Sequence, residues 1–164
     1  MLRKLFPPVV GLLLMIAVPA SLFAKGKTVR ITIKGPDLKS PIEMTDPTIL
    51  ANFNVWAGPG TSTNEARGLI VDWSKGTMSS APKGLPLYEV SFYEDVGNQE
   101  AKLIYVVSYE YDPSSRHGYV YLPGDGDKWH RLNVSSIFHG VEGNWFNAWN
   151  SWDDVAIPLI EKAK

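Results

Sequence analysis

Tryptophan side chains are the most informative of the residues that could do chemistry in this chain. Four of them are candidates for a binding surface: Trp56, Trp73, Trp145 and Trp149. Trp56 and Trp73 lie beside glycine-rich loops, where an exposed indole ring can stack on a ligand. Trp145, Trp149 and Trp152 are spaced by four and three residues, as on one face of a helix. Such a face is typical of core packing on a sheet, and the alternative is a stacking surface for sugar rings or for a partner.

Carboxylates near the ends of neighbouring strands could serve as the acid and base of a glycoside hydrolase. That chemistry needs two carboxyl groups about 5–10 Å apart across a cleft. The candidates are Glu89, Glu94, Asp95, Glu110 and Asp112. Antiparallel strands bring such pairs together by chance, and most acids at strand ends are simply solvated, so catalysis by a carboxylate pair stays an alternative.

Motifs for other chemistries are not found in the sequence. His117, His130 and His139 are 13 and 9 residues apart, without an HxH or HExxH pair to fix two metal ligands on one element. Residues 125–127 begin like a calcium loop but lack the later ligands of an EF-hand. There is no G-x-S-x-G or S-x-x-K motif and no cysteine. The sequence therefore predicts no catalytic residue, no metal and no cofactor.

Alternating apolar residues predict the strands of an antiparallel sheet. The clearest alternation is at residues 28–34, and residues 102–111 are apolar on both faces, which predicts a central strand covered on each side. Asp46-Pro47 is typical of a helix start and predicts a short helix near residue 50. Ser151 three residues before Asp154 is close to a capping box and predicts a helix at the C-terminus.

These elements predict an α+β fold, with an antiparallel β-sheet or sandwich of six to seven strands and the two helices. A further strand is expected from Trp129 to Val134. The end of this segment overlaps Asn133-Val134-Ser135, an N-glycosylation sequon that is relevant only in a eukaryotic secretory pathway.

The first 24 residues have the pattern of a signal peptide. Arg3 and Lys4 precede an apolar run at residues 5–20, and cleavage is expected after Ala24, with Ala20 as second choice. Prolines leave too few uninterrupted apolar residues for the alternative, an uncleaved membrane anchor. Residues 25–164 would form a single globular domain, and no later segment is expected to span a membrane.

The mature chain would carry 14 basic and 17 acidic side chains, because Arg3 and Lys4 leave with the signal. A mildly acidic domain with scattered charges gives no electrostatic reason to bind nucleic acid. The large aromatic share is compatible with a bulky core or with a stacking surface.

Two stretches, GPDLKSPIEMTDP at residues 35–47 and GVEGNWF at residues 140–146, resemble small exported bacterial proteins of unknown function. The resemblance implies a bacterial exported protein and transfers no activity, cofactor or site residue. The function expected is an extracytoplasmic domain, periplasmic or secreted, that binds a ligand or partner without catalysis. A glycan or an envelope protein would be the partner. A small glycan hydrolase with paired carboxylates is the alternative, and an envelope-associated structural protein is a third interpretation.

Overall fold

The structure, a computed structural model, describes residues 26–63, 67–95, 97 and 100–164, so the expected signal segment lies outside the described residues. Six strands form one antiparallel sheet in the order β2-β1-β5-β6-β7-β8. The strands of the sheet are β1 (Thr28–Lys34), β2 (Ile42–Met44), β5 (Tyr88–Glu94), β6 (Lys102–Asp112), β7 (His117–Tyr121) and β8 (Trp145–Asn147). Strands β3 (Arg67–Gly68) and β4 (Val71–Asp72) form a separate two-stranded ribbon.

In the described part of the chain, three α-helices accompany the sheet, α1 (Pro47–Leu50), α2 (His130–Ser136) and α3 (Asn150–Ala163), and residues Trp73–Lys75 form a short 3-10 helix. Asp46 caps α1 by accepting a hydrogen bond from the backbone N–H of Thr48 at 2.8 Å, as the sequence predicts. The predicted α+β class is confirmed, with the short helix at residues 47–50 and the C-terminal helix both present. None of the helices in the described ranges is long and apolar enough to cross a membrane.

One face of the sheet carries the core, which is rich in aromatic rings. Trp152 of α3 meets Phe53 edge-on at 5.1 Å between ring centroids and Tyr109 of β6 at 5.9 Å. Tyr88 and Tyr111 stack at 6.0 Å on the same face. These rings are almost fully buried, so a large part of the aromatic share of the composition belongs to the core.

Asp153 of α3 fixes this helix to the sheet. Its carboxylate accepts hydrogen bonds from the Tyr109 hydroxyl at 2.7 Å and from the Gly118 backbone N–H at 2.9 Å. His117 Nδ1 lies 3.5 Å from the same carboxylate. Asp153 is only 4 % exposed, so α3 and the start of β7 are joined by a buried polar contact as well as by apolar packing.

The strand expected from Trp129 to Val134 is wrong, because His130–Ser136 is the helix α2. Strand β6 extends beyond β7, which pairs only with Ser108–Asp112, and α2 packs against β6. The side chain of Asn133 accepts from the Val106 N–H at 2.9 Å and donates to the Val106 carbonyl at 2.7 Å. The amide of Asn133 thus makes the two bonds that a neighbouring strand would otherwise make with β6.

Candidate functional site

The face of the sheet opposite the core is partly exposed and carries polar and aromatic side chains. In β7, Gly118 and Val120 are buried, while the alternate residues His117, Tyr119 and Tyr121 point the other way and stay partly exposed. The same alternation in β8 buries Phe146 alone. Successive side chains of a strand lie on opposite faces, so this pattern identifies one continuous surface. We call it the open face: Glu89, Ser108, Tyr119, Tyr121, Trp145 and Asn147 are partly exposed on it, and Glu110 lies on the same face but is buried.

The strand register aligns four of these residues in a row across the sheet. Glu89 pairs with Ser108, Ser108 with Tyr121, and Tyr121 with Trp145. Neighbouring strands are about 4.8 Å apart, so the row extends about 14 Å. It begins with a carboxylate, continues through a hydroxyl and ends in two aromatic rings.

The two rings at the end of the row are held in place. The centroids of Tyr121 and Trp145 are 5.2 Å apart with the planes tilted by 35°. The Tyr121 hydroxyl donates to the Asp127 carboxylate at 2.7 Å, and that carboxylate also accepts the Gly124 N–H. Burial is the main reason that the pKa of Tyr121 is raised, followed by its bond to Asp127. The rings therefore present a fixed aromatic surface with little side-chain entropy left to lose on binding.

Glu89, at the other end of the row, is held by the segment before α2. Trp129 Nε1 donates to Glu89 Oε2 at 2.6 Å, and Lys128 Nζ lies 3.4 Å from the same oxygen. Lys128 also lies over the Trp129 ring, 4.2 Å from its centroid. The Glu89 side chain remains 29 % exposed, so its carboxylate is oriented and still available as an acceptor.

A second row lies beside the first and consists of Glu110, Tyr119 and Asn147. Asn147 Oδ1 is 2.8 Å from His117 Nε2, whose other ring nitrogen faces Asp153. This chain of contacts orients the Asn147 amide at the rim of the open face.

Glu110 in the second row is the least solvated carboxyl of the open face. It is 9 % exposed, and its Oε2 atom is buried without a hydrogen-bond partner. Burial raises the pKa of this carboxyl above its ordinary value. Glu110 therefore takes up a proton at higher pH than a solvated glutamate does.

We expect Glu110→Gln to stabilise the protein, and only on the alkaline side. A carboxyl whose pKa is higher in the folded state loses folding free energy as the pH rises from the unfolded pKa through the folded pKa. Glutamine removes this loss, so the melting temperature should rise near neutral pH and stay unchanged near pH 4. Thermal unfolding at both pH values measures the change in melting temperature. Glu43→Gln, which alters an exposed glutamate of β2, is the control, and an equal gain in both variants would contradict the prediction.

The open face includes one of the four tryptophans selected from the sequence, Trp145. Trp56 is half-buried, and its indole N–H donates to Glu94, a carboxyl that is 3 % exposed on the core side. Trp73 packs edge-on against Phe146 at 5.2 Å. Both indoles pack against the core instead of standing free beside their loops.

The helical face expected from Trp145, Trp149 and Trp152 is wrong. Trp145 lies in β8, Trp149 is the residue that caps the start of α3, and Trp152 lies within the helix. Trp149 packs against the core, and its backbone N–H donates to the Ile70 carbonyl at 3.0 Å. The spacing of four and three therefore joins residues from a strand and a helix.

The structure brings two of the five candidate carboxylates together and places the other three elsewhere. Glu89 and Glu110 share the open face as diagonal neighbours, since Glu89 pairs with Ser108, two residues before Glu110. Glu94 is buried with Trp56. Asp95 and Asp112 each accept a backbone N–H two residues further along the chain and so stabilise their own turns.

Sequence reasoning missed Tyr119, Tyr121, Trp129 and Asn147 as site residues. The alternation of Tyr119 and Tyr121 with Val120 was a usable signal, because a half-exposed strand with aromatic residues on its outer face is visible in the sequence. Nothing in the sequence shows that β8 pairs with β7, or that Trp129 reaches Glu89 from outside the sheet.

The histidines do not converge. His130 Nδ1 is 3.1 Å from the Pro123 carbonyl, and His139 Nδ1 is 2.7 Å from the Pro59 carbonyl. Within the described ranges, no group of three or more metal-ligating side chains could hold a metal ion. Comparison with protein-family models, with curated proteins and with solved structures finds no match.

Proposed function

We propose that the protein is an exported, non-catalytic domain that binds a glycan on its open face. The observation that carries the proposal is the row in which the fixed rings of Tyr121 and Trp145 continue a line that starts at the Glu89 carboxylate. Aromatic rings and oriented hydrogen-bonding groups on one exposed surface suit a ligand that is apolar on its faces and polar around its edge.

Sugars have this chemistry. A pyranose ring presents C–H groups on its faces, which pack on the electron-rich faces of aromatic rings. Its hydroxyls lie around the rim and are matched by carboxylate and amide groups, which at the open face are Glu89 and Asn147. A mildly acidic domain with scattered charges gives no comparable support for a nucleic acid as ligand.

The expected signal segment at residues 1–24 supports action outside the cytoplasm, where glycans of the cell envelope would be the available ligands. The resemblance of residues 35–47 and 140–146 to small exported bacterial proteins supports the same compartment. A peptidoglycan fragment or another envelope polysaccharide is the ligand class proposed.

Removing one aromatic ring from the open face should weaken the affinity for the glycan strongly. We expect calorimetric titration with cellohexaose, chitohexaose and soluble peptidoglycan fragments to show saturable binding by the wild type to at least one of them. In Trp145→Ala the dissociation constant should rise about tenfold, because a stacked ring contributes about 1.4 kcal/mol.

Phe138→Ala is the matched control for this titration, since it removes an aromatic ring that is 62 % exposed outside the open face. Its affinity should equal that of the wild type. Binding that Trp145→Ala leaves unchanged, or no binding to any of the three ligands, would contradict the proposal.

A specific observation also supports the hydrolase as a second candidate. The backbone positions of diagonal neighbours in a sheet are about 7–8 Å apart, which allows their carboxyl groups to reach the separation of about 6.5–9.5 Å found in inverting glycosidases. Glu110, with its raised pKa, would be the acid and Glu89 the base. Release of reducing ends from the same ligands, lost in Glu110→Gln, would establish this function in place of simple binding.

A further inference from the structure

Glu110 is a buried carboxyl that has no counter-charge beside it. Within the described part of the chain, no basic side chain forms an ion pair with it, and its Oε2 atom has no donor. Neighbouring strands and the segment before α2 contribute other titratable groups around this position. These are Glu89 from β5, His117 and Tyr119 from β7, Asp112 from β6 itself and Lys128 from the loop.

None of these groups neutralises an ionised Glu110. Lys128 is engaged by Glu89 at 3.4 Å, and His117 faces Asp153 and Asn147 with its two ring nitrogens. Glu89 and Asp112 would add negative charge. Burying a carboxylate without a partner is costly, whereas the neutral acid loses little on burial and keeps an O–H that can donate.

We propose that Glu110 binds the glycan in its carboxylic acid form, donating a hydrogen bond to a sugar oxygen, so that binding is strongest at acidic pH and weakens as the pH rises. This inference rests on the glycan-binding function proposed above. The open face then offers a donor at Glu110 and an acceptor at Glu89. As diagonal neighbours, these two residues have backbone positions about 7–8 Å apart. Two separate hydroxyls of one sugar unit can serve them, one accepting from Glu110 and the other donating to Glu89.

The direction of the pH dependence follows from the proton that the Glu110 carboxyl must carry in order to donate to the ligand. If the ligand selects protonated Glu110, the dissociation constant stays constant below the pKa of this group in the free protein. Above that pKa it rises by up to tenfold per pH unit. Glutamine has the shape of the protonated acid and keeps a donor at every pH, so Glu110→Gln should bind with an affinity that does not change with pH.

The test uses the full protein and two readouts. The first is a carbon-13 NMR titration of the glutamate side-chain carboxyls from about pH 3 to about pH 9, in which the signal missing from Glu110→Gln identifies Glu110. We expect its midpoint above the ordinary glutamate value. A midpoint at or below that value would overturn the inference without touching the proposed function.

The second readout is affinity for cellohexaose, chitohexaose and soluble peptidoglycan fragments from about pH 4 to about pH 8. Wild type and His117→Gln should both weaken as the pH rises, and Glu110→Gln should not. A pH dependence that persists in Glu110→Gln or disappears in His117→Gln would overturn the inference. If none of the ligands binds at any pH while Glu110 titrates high, the proposed function fails, and the role of Glu110 in binding fails with it.

Discussion

Replacing Asp153 by alanine is expected to lower the free energy of unfolding by about 2–5 kcal/mol. The substitution leaves the Tyr109 hydroxyl and the Gly118 N–H without their acceptor in the interior. Each buried polar group that loses its partner costs about 1–3 kcal/mol. Urea unfolding monitored by circular dichroism measures the change.

Asp154→Ala provides the matched control for Asp153, since it removes the same side chain one residue along α3 at an exposed position. It should change stability by less than about 0.5 kcal/mol. A second variant, Asp153→Asn, keeps the size of the side chain but offers a single acceptor oxygen to two donors, so an intermediate loss is expected. A loss in Asp153→Ala no larger than that in Asp154→Ala would show that the contact between α3 and β7 carries no stability.

Substitution of Asn133 by alanine should have the second large effect, a loss of about 2–4 kcal/mol. The Val106 N–H and carbonyl would each lose their hydrogen bond to the Asn133 amide, which is 0 % exposed. Each buried polar group left without a partner costs about 1–3 kcal/mol. Thermal and urea unfolding report the change. Arg131→Ala, an exposed substitution in the same helix, should be close to neutral.

Asn133→Leu separates hydrogen bonding from packing at this position. Leucine fills a similar volume and adds apolar surface. If the two hydrogen bonds to the Val106 backbone are the stabilising contact, Asn133→Leu should lose as much free energy of unfolding as Asn133→Ala. A stable leucine variant would contradict the assignment. The burial of Asn133 also means that the sequon at residues 133–135 does not offer a surface acceptor in the folded protein.

The strands were predictable because a half-buried strand shows its period of two directly. Residues 28–34 alternate in sequence and residues 102–111 are apolar on both faces, and both segments form strands of the sheet. The segment 129–134 was mispredicted as a strand because its conformation depends on a distant contact, the one between Asn133 and Val106. Tertiary hydrogen bonds of this kind leave no local signature in the sequence.

Part of the candidate site was predictable from the sequence. Trp145, Glu89 and Glu110 were named among the candidates, while the strand register that aligns them with Tyr121 and Ser108 was not. The register depends on which strands become neighbours, and the connection from β7 to β8 passes through the whole of α2.

Trp56 and Trp73 were selected as candidates for exposed rings because of their glycine-rich surroundings. Gly58 shows another role for glycine in such a loop: its backbone lies against the Trp73 indole, and a Cβ at this position would come within 2.4 Å of Nε1. Its φ of +105° also favours glycine. Glycine here permits close approach of the chain to the ring instead of leaving the ring open.

The place of α2 beside β6 has a consequence for the behaviour of the protein in concentrated solution. Residues 102–107 of β6 extend past β7, and Ile104 and Val106 make this stretch apolar. A strand edge of this type can recruit a strand from another molecule and start aggregation. Because α2 occupies the edge, a transient detachment of this single short helix would suffice to make the protein self-associate, and variants that loosen α2 should aggregate before they unfold.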